Sequence, residues 1–103
     1  MVNDASDAPK VSLDPVIHPS IRLRICAALS AAARVEFGTV QRSTGVTASN
    51  LSKNVTTLTE AGYVTSTRAL EDSRRIWLEL TPAGRSAYTA HVAALRAIVG
   101  DDT

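Results

Sequence analysis

Between Thr47 and Gly62 the chain reads Thr-Ala-Ser-Asn-Leu-Ser-Lys-Asn-Val-Thr-Thr-Leu-Thr-Glu-Ala-Gly, a run of short hydroxyl and amide side chains with one cation. At about 100° of rotation per residue, Ser49, Lys53 and Thr56 share one sector of a helix, with Asn50 and Thr57 on one flank and Ser52 on the other. Ser, Thr and Asn are weaker helix formers than Glu and Lys, so this face is not composed for helix strength. Short polar side chains instead let a helix backbone approach another polar surface closely, and the major groove of DNA admits a helix. Ser49, Asn50, Ser52, Lys53 and Thr57 are therefore the candidate contacts to base edges and phosphates. Thr47 is first a cap, although a capped helix N-terminus can also face a phosphate.

A second set of candidates follows. Arg68 and Arg75 flank the polar stretch Glu-Asp-Ser-Arg and Arg74 closes it, where they can reach backbone phosphates or the minor groove, contacts that fix register without reading sequence. If two copies each used Lys53, Arg68, Arg74 and Arg75, about eight phosphates would be engaged. The slope of log affinity against log salt would then be at most about −7.

These side chains need elements to hold them. The absence of Pro and Gly after Thr47 predicts a reader helix over residues 48 to 61, with Leu51, Val55 and Leu58 turned to the core and Gly62 ending it. Upstream, Pro19 and the spacing of Ile21, Ile25 and Leu29 predict a first helix over 19 to 31, with Arg22 and Arg24 on its wetter side. Arg34 and Val35 suit a very short extended piece. Residues 36 to 44 fit a short second helix, Phe37 and Val40 inward, stopped by Gly45. Helix, tight turn and helix make a helix-turn-helix, whose second helix is the reader. Two strands, Tyr63 to Leu70 and Arg75 to Leu80, then form a hairpin, the wing of a winged helix. Thr81 caps a last helix, Pro82 opens it, and it runs to Val99 before Gly100. Tyr88, Val92, Leu95 and Val99 form an apolar stripe on it that so small a body cannot fully cover, which points to a second copy as partner.

The expected fold class is α+β, mostly helical: a winged helix-turn-helix with a three-helix core, a two-stranded β wing and a long C-terminal helix. Residues 1 to 12 read as a flexible arm, 13 to 100 as the domain, with its dimerisation helix over 82 to 99, and 101 to 103 as an acidic tail. A formal net charge of +1 hides a division along the 103 residues. Residues 1 to 19 and the tail are each at −2, and the body between them holds ten basic and five acidic residues, for +5. A body of that sign attracts a polyanion. Cys26 is the only cysteine, which excludes an internal disulfide and suits a reducing compartment. No apolar run is long enough to span a membrane, and the N-terminus lacks the pattern of a secretion signal.

Several segments resemble a known family. Leu13-Asp-Pro-Val-Ile-His-Pro-Ser-Ile-Arg-Leu-Arg-Ile25, Ser49-Asn-Leu-Ser-Lys53 with Leu58-Thr-Glu-Ala-Gly-Tyr-Val64, and Leu80-Thr-Pro-Ala-Gly-Arg85 resemble MarR-type winged-helix repressors and, more closely, short bacterial winged-helix regulators. The resemblance covers about residues 13 to 99, and the Leu-Thr-Pro-x-Gly join is its most specific part. It implies a cytoplasmic, homodimeric, sequence-specific regulator of transcription on double-stranded DNA, without catalysis or cofactor. The chain departs from the family at the wing, with Glu71-Asp-Ser-Arg-Arg75 where MarR-type wings often carry Asp-x-Arg-Asp. It also lacks the longer flanking helices that build the ligand pocket of full-length members, so a small-molecule effector is not implied.

Blander readings stand beside these. The polar helix face can be plain solvated surface, which would make the fold a protein-interaction module that docks a different partner on its last helix. Cys26 sits among core positions, where a thiol behaves as a small hydrophobe. His18 and His91 have no Cys or His spaced nearby, so no metal site is expected. Trp77 faces away from Ile76 and Leu78 and is expected to cover the last helix or the dimer contact. Glu60 and Glu79 read as solvent charges. No phosphate loop or nucleophile set is present, so the sequence gives no reason to expect an enzyme.

Overall fold

Three short helices and a hairpin are bound together by one long helix, and a polar join between wing and long helix sets how they meet. The computed structural model describes residues 13 to 72 and 74 to 100. The arm over 1 to 12 and the tail over 101 to 103 lie outside the described residues. In chain order the elements are α1 (Ser20–Ser30), β1 (Val35–Glu36), α2 (Phe37–Thr44), α3 (Ala48–Glu60), β2 (Val64–Arg68), β3 (Ile76–Leu80) and α4 (Pro82–Val99).

The periodic apolar residues of the sequence meet in one core. Ile25, Cys26 and Leu29 of α1, Val40 of α2, Leu51 and Leu58 of α3, and Leu78 of β3 are fully buried, with Val55, Val64 and Leu80 nearly so. Ile17, ahead of α1, is also fully buried and anchors the segment before that helix on the body. Burial raises the Cys26 thiol to about 11, helped by the negative charge of Asp14, so Cys26 stays a protonated apolar filler at neutral pH.

Each helix ends where its local chemistry requires. Thr47 Oγ1 accepts the Asn50 N–H at 3.1 Å and caps α3. At the other end the Gly62 N–H donates to the Thr59 carbonyl and the Tyr63 N–H to the Leu58 carbonyl, a Schellman closure that needs a left-handed residue at Gly62, where φ is 82°. Tyr63 is thus spent on the turn, and β2 starts one residue later than its β-rich composition predicts. Pro19, expected as the first helical residue of α1, sits instead at the N-cap, its carbonyl accepting the Leu23 N–H.

The wing is part of a larger sheet than the hairpin alone. β1 pairs antiparallel with β3 on the side away from β2, giving the order β1-β3-β2. Val35 faces Leu78 on one side of β3 and Ser66 faces it on the other. The two-stranded wing expected from the sequence is the β2–β3 hairpin, and β1 extends it at its base to a three-stranded sheet. A two-residue strand carries no period of its own, and its pairing with a strand forty residues away is a long-range contact.

The join between β3 and α4 explains the Leu-Thr-Pro-x-Gly sequence. The Thr81 N–H donates to the Tyr63 carbonyl at 3.0 Å, its Oγ1 donates to the Gly62 carbonyl at 2.6 Å, and the same oxygen accepts the Gly84 N–H at 2.9 Å. Pro82 takes the first helical position, where no N–H is missed. A Cβ on Gly84 would fall 2.0 Å from the Tyr63 carbonyl oxygen, so only glycine lets the first turn of α4 lie on that backbone.

A polar node completes the attachment. Asp14 accepts the Val16 and Ile17 N–H groups on Oδ1 and the Tyr63 hydroxyl on Oδ2 at 2.7 Å, while its own N–H donates to His91 Nδ1 at 3.0 Å. One residue thus ties the segment before α1 to the start of β2 and to α4. Burial pushes the Asp14 carboxyl up, but the Tyr63 hydroxyl, the two backbone N–H groups and His91 outweigh it and hold Asp14 below its ordinary value. Tyr63 is raised in turn, chiefly by its hydrogen bond to that carboxylate. His91 is 1% exposed and is lowered by burial, against the pull of Asp14 and with the repulsion of His18, whose ring centre is 6.0 Å away. Because Nδ1 accepts from Asp14, the imidazole proton sits on Nε2, which has no hydrogen-bond partner among the described residues.

Candidate nucleic-acid interface

The buried and exposed sides of α3 divide as its sequence divides. Leu51, Val55 and Leu58 pack inward, and Ser49, Asn50, Ser52, Lys53 and Thr56 are exposed, with Thr57 half-buried and its hydroxyl donating to the Lys53 carbonyl at 3.3 Å. Thr47 is exposed and occupied as the cap. Ser52 and Thr56 border two recesses. One, of about 280 Å³, runs between α3 and the base of the wing, where Ser66 and Ile76 form its far wall. The other, of about 350 Å³, lies towards α1 and is edged by Lys53, Asn54 and Arg22. The polar side of α3 is thus continuous with the base of the wing on one edge and with α1 on the other.

Sequence reasoning missed two residues on this face. Arg22, assigned only to the wetter side of its helix, donates from Nη1 to Asn54 Oδ1 at 3.1 Å and from Nε to the Val16 carbonyl. Asn54 in turn donates from Nδ2 to the carbonyl and the side-chain oxygen of Asn50, at 2.9 and 2.8 Å. The Asn50–Asn54 pair is visible in the sequence as an i, i+4 spacing. Arg22, on another helix, carries no such signal. Arg24 is drawn the other way, its Nη1 donating to the Thr44 carbonyl at 3.1 Å and joining α1 to the end of α2.

The wing arginines are held unequally. Asp72 Oδ1 accepts the Arg74 N–H at 3.0 Å and its Nε at 3.4 Å, while the Arg74 side chain stays 92% exposed. An acidic residue two positions ahead thus braces Arg74 even though the chain departs from the family's wing pattern. Arg75 pairs instead with Glu36 at the end of β1, at 3.2 Å, and leans towards the body. Arg68 is exposed at the end of β2. Trp77 is half-buried, and the Arg34 guanidinium lies 4.3 Å from its ring centre, a cation–π contact that fastens the chain ahead of β1 to the sheet. Leu70, expected within a strand, lies past the end of β2 and is fully exposed near the wing tip.

On α4 the inward residues are Gly84, His91 and Ala94, with Ala87 and Tyr88 packed against the core. Of the stripe proposed for a partner, Tyr88, Val92 and Leu95 are half-buried and Val99 is 75% exposed, with Ile98 open beside it. No described helix is long and apolar enough to cross a membrane.

Comparison with known proteins agrees with this architecture. A family model described as a winged helix DNA-binding domain matches residues 21 to 99. No curated protein matches the chain. Among solved structures, a transcriptional regulator homologue from Pyrococcus horikoshii is similar at TM-score 0.78 and 22% identity, over 82% of this chain and 85% of that one. The transcriptional regulator BldR from Sulfolobus solfataricus is similar at 0.70 and 26% identity, over 79% and 58%. PcaV, a transcriptional regulator from Streptomyces coelicolor solved with its natural ligand, is similar at 0.69 and 22%, over 82% and 62%, so this chain spans less than two thirds of the last two. With the capped polar helix, the hairpin and the matched segment in agreement, the chain belongs to the winged helix DNA-binding domain family, as its MarR-like sequence features lead one to expect.

Proposed function

We propose that the chain is a cytoplasmic, homodimeric transcription regulator, most simply a repressor, that reads the major groove with α3 and lays the wing over residues 64 to 80 along the backbone or minor groove. The observation that carries this proposal is the exposed, Thr47-capped face of Ser49, Asn50, Ser52 and Lys53, continuous with the base of the wing. Its side chains are short, so the helix backbone can sit deep in the groove, and Lys53 supplies the charge that phosphates demand. Arg74, braced by Asp72 and pointing into solvent, is the foremost wing contact, with Arg68 and Arg75 as further candidates. The apolar stripe of α4, half-buried Tyr88, Val92 and Leu95 and exposed Val99 with Ile98 beside it, is the surface offered to the second copy, which would place two reader helices about one helical turn of DNA apart. Neither cofactor nor metal enters this scheme, and a small-molecule effector is not required by it.

Fluorescence titration of the chain on genomic duplex fragments at increasing salt tests it. The expected slope of log affinity against log salt is steep, at most about −7, and shallower in Lys53→Ala and in Arg74→Ala/Arg75→Ala. Unchanged affinity in both variants, or binding indifferent to salt, would sink the proposal and favour a protein-docking module.

A further inference from the structure

The hydrogen-bond chain from Arg22 to Asn50 has a direction. A guanidinium carries five N–H donors and no acceptor, so only the oxygen of the Asn54 carboxamide can face Arg22, as it does at 3.1 Å. Arg22 is itself fixed by its second bond to the Val16 carbonyl. With Oδ1 committed, Asn54 must turn Nδ2 towards Asn50, where it donates to the carbonyl at 2.9 Å and to Oδ1 at 2.8 Å. Asn50 therefore turns its oxygen inward along the helix and its Nδ2 outward. Asn50 is exposed, and its Nδ2 has no partner among the described residues. Rotating the carboxamide by half a turn would set one NH₂ group against another, so the arrangement resists the flip that a free asparagine makes at will.

Resting on the DNA-reading proposal above, we infer that Arg22, acting through Asn54, locks Asn50 as a hydrogen-bond donor, so that this position selects a guanine edge over an adenine edge. Guanine offers two acceptors in the major groove, N7 and O6. Adenine offers an acceptor and a donor, and an asparagine that pairs with it must present both its oxygen and its nitrogen. Arg22 and Asn54 are positioning residues here, and Asn50 is the one that touches the base.

Selection of duplexes from a randomised library by this chain, read by sequencing, tests this at one base pair. That base pair is the one whose preference disappears in Asn50→Ala. The wild-type chain is expected to favour guanine over adenine there by about tenfold, the scale of a single good base contact. Asn54→Asp keeps an acceptor for Arg22 but offers Asn50 an acceptor in place of a donor, so Asn50 reverses and presents its oxygen. The preference should then move by about tenfold towards adenine or cytosine, whose amino groups donate. Asn54→Ala releases the carboxamide and should level the preference. Thermal unfolding of each variant separates a lost fold from a lost preference, and the wild-type result stands without any Asn54 variant. An adenine preference in the wild type overturns the inference. So does an Asn54→Asp chain that is folded, binds DNA with normal salt dependence and keeps the wild-type base. Wild-type protein with no salt-dependent DNA binding removes the DNA-reading proposal and this inference together.

Discussion

The join beneath the wing and the open face of α3 are both built from short polar side chains, yet they are organised to opposite ends. In the join, the groups of Thr81, Asp14 and Tyr63 bond one another or nearby backbone across β2, β3, α4 and the segment before α1, and Gly84 lies directly against the Tyr63 backbone. On α3 the chain Arg22–Asn54–Asn50 is equally well defined, but it ends in an unused donor facing solvent. Polar groups that close on each other hold elements together. A chain that stops one bond short is ready for a partner.

Substitutions in the two regions should therefore separate stability from binding. Gly84→Ala has the largest expected effect: the added methyl meets backbone rather than a movable side chain, and unfolding in urea should show a loss of about 3 kcal/mol. An unchanged midpoint would mean that the first turn of α4 can lift off Tyr63 freely, and the join would lose its special status. Tyr63→Phe removes one hydrogen bond to a half-buried carboxylate and should cost about 1 kcal/mol at neutral pH by the same measurement.

The join should also make stability depend on pH in a known sense. His91 is held below its ordinary 6.5, so between that value and its folded-state value the unfolded chain binds more protons, and stability falls as pH drops through this window. Asp14 is held below 3.8, so a further loss is expected at still lower pH, as its folded-state carboxylate is protonated. Protonating His91 at Nδ1 would set an N–H against the Asp14 N–H that now donates there. His91→Asn places a non-titrating acceptor at that point, and thermal melts at stepped pH should lose the first slope and keep the second. If the first slope persists, another group is responsible for it.

The smallest stability effect belongs to the open face. Lys53→Ala should change the unfolding free energy by no more than about 0.5 kcal/mol, because Lys53 is exposed. The same variant should flatten the salt dependence of DNA affinity by about 0.9 per phosphate lost. A Lys53→Ala chain that is clearly destabilised would blur the contrast between the two regions.

Much of this was legible in the residues alone. The reader helix is strongly written: a capping Thr, three core residues at helical spacing and a terminating Gly fix its ends to within one residue of α3. The join was legible as a motif but not as a mechanism, because the need for glycine at 84 comes from the Tyr63 backbone, twenty-one residues earlier. His18 and His91 looked unrelated by spacing and are neighbours in space. The bracing of Arg74 by Asp72 was not read from the sequence although the two are only two residues apart, and the pairing of Arg75 with Glu36 required the sheet to bring β1 beside β3.

By itself the sequence determined which faces are apolar, where the helices begin and stop, and which polar residues stand on the reader helix, since periodicity, capping and turn chemistry act over a few residues. Only the tertiary structure decided that β1 widens the wing, that His91 is buried against Asp14, and that Arg22 reaches Asn54 and so sets which atom of Asn50 faces outward. Those outcomes depend on groups far apart in the chain being packed to within hydrogen-bonding distance, and no local pattern encodes which distant partner a donor will find.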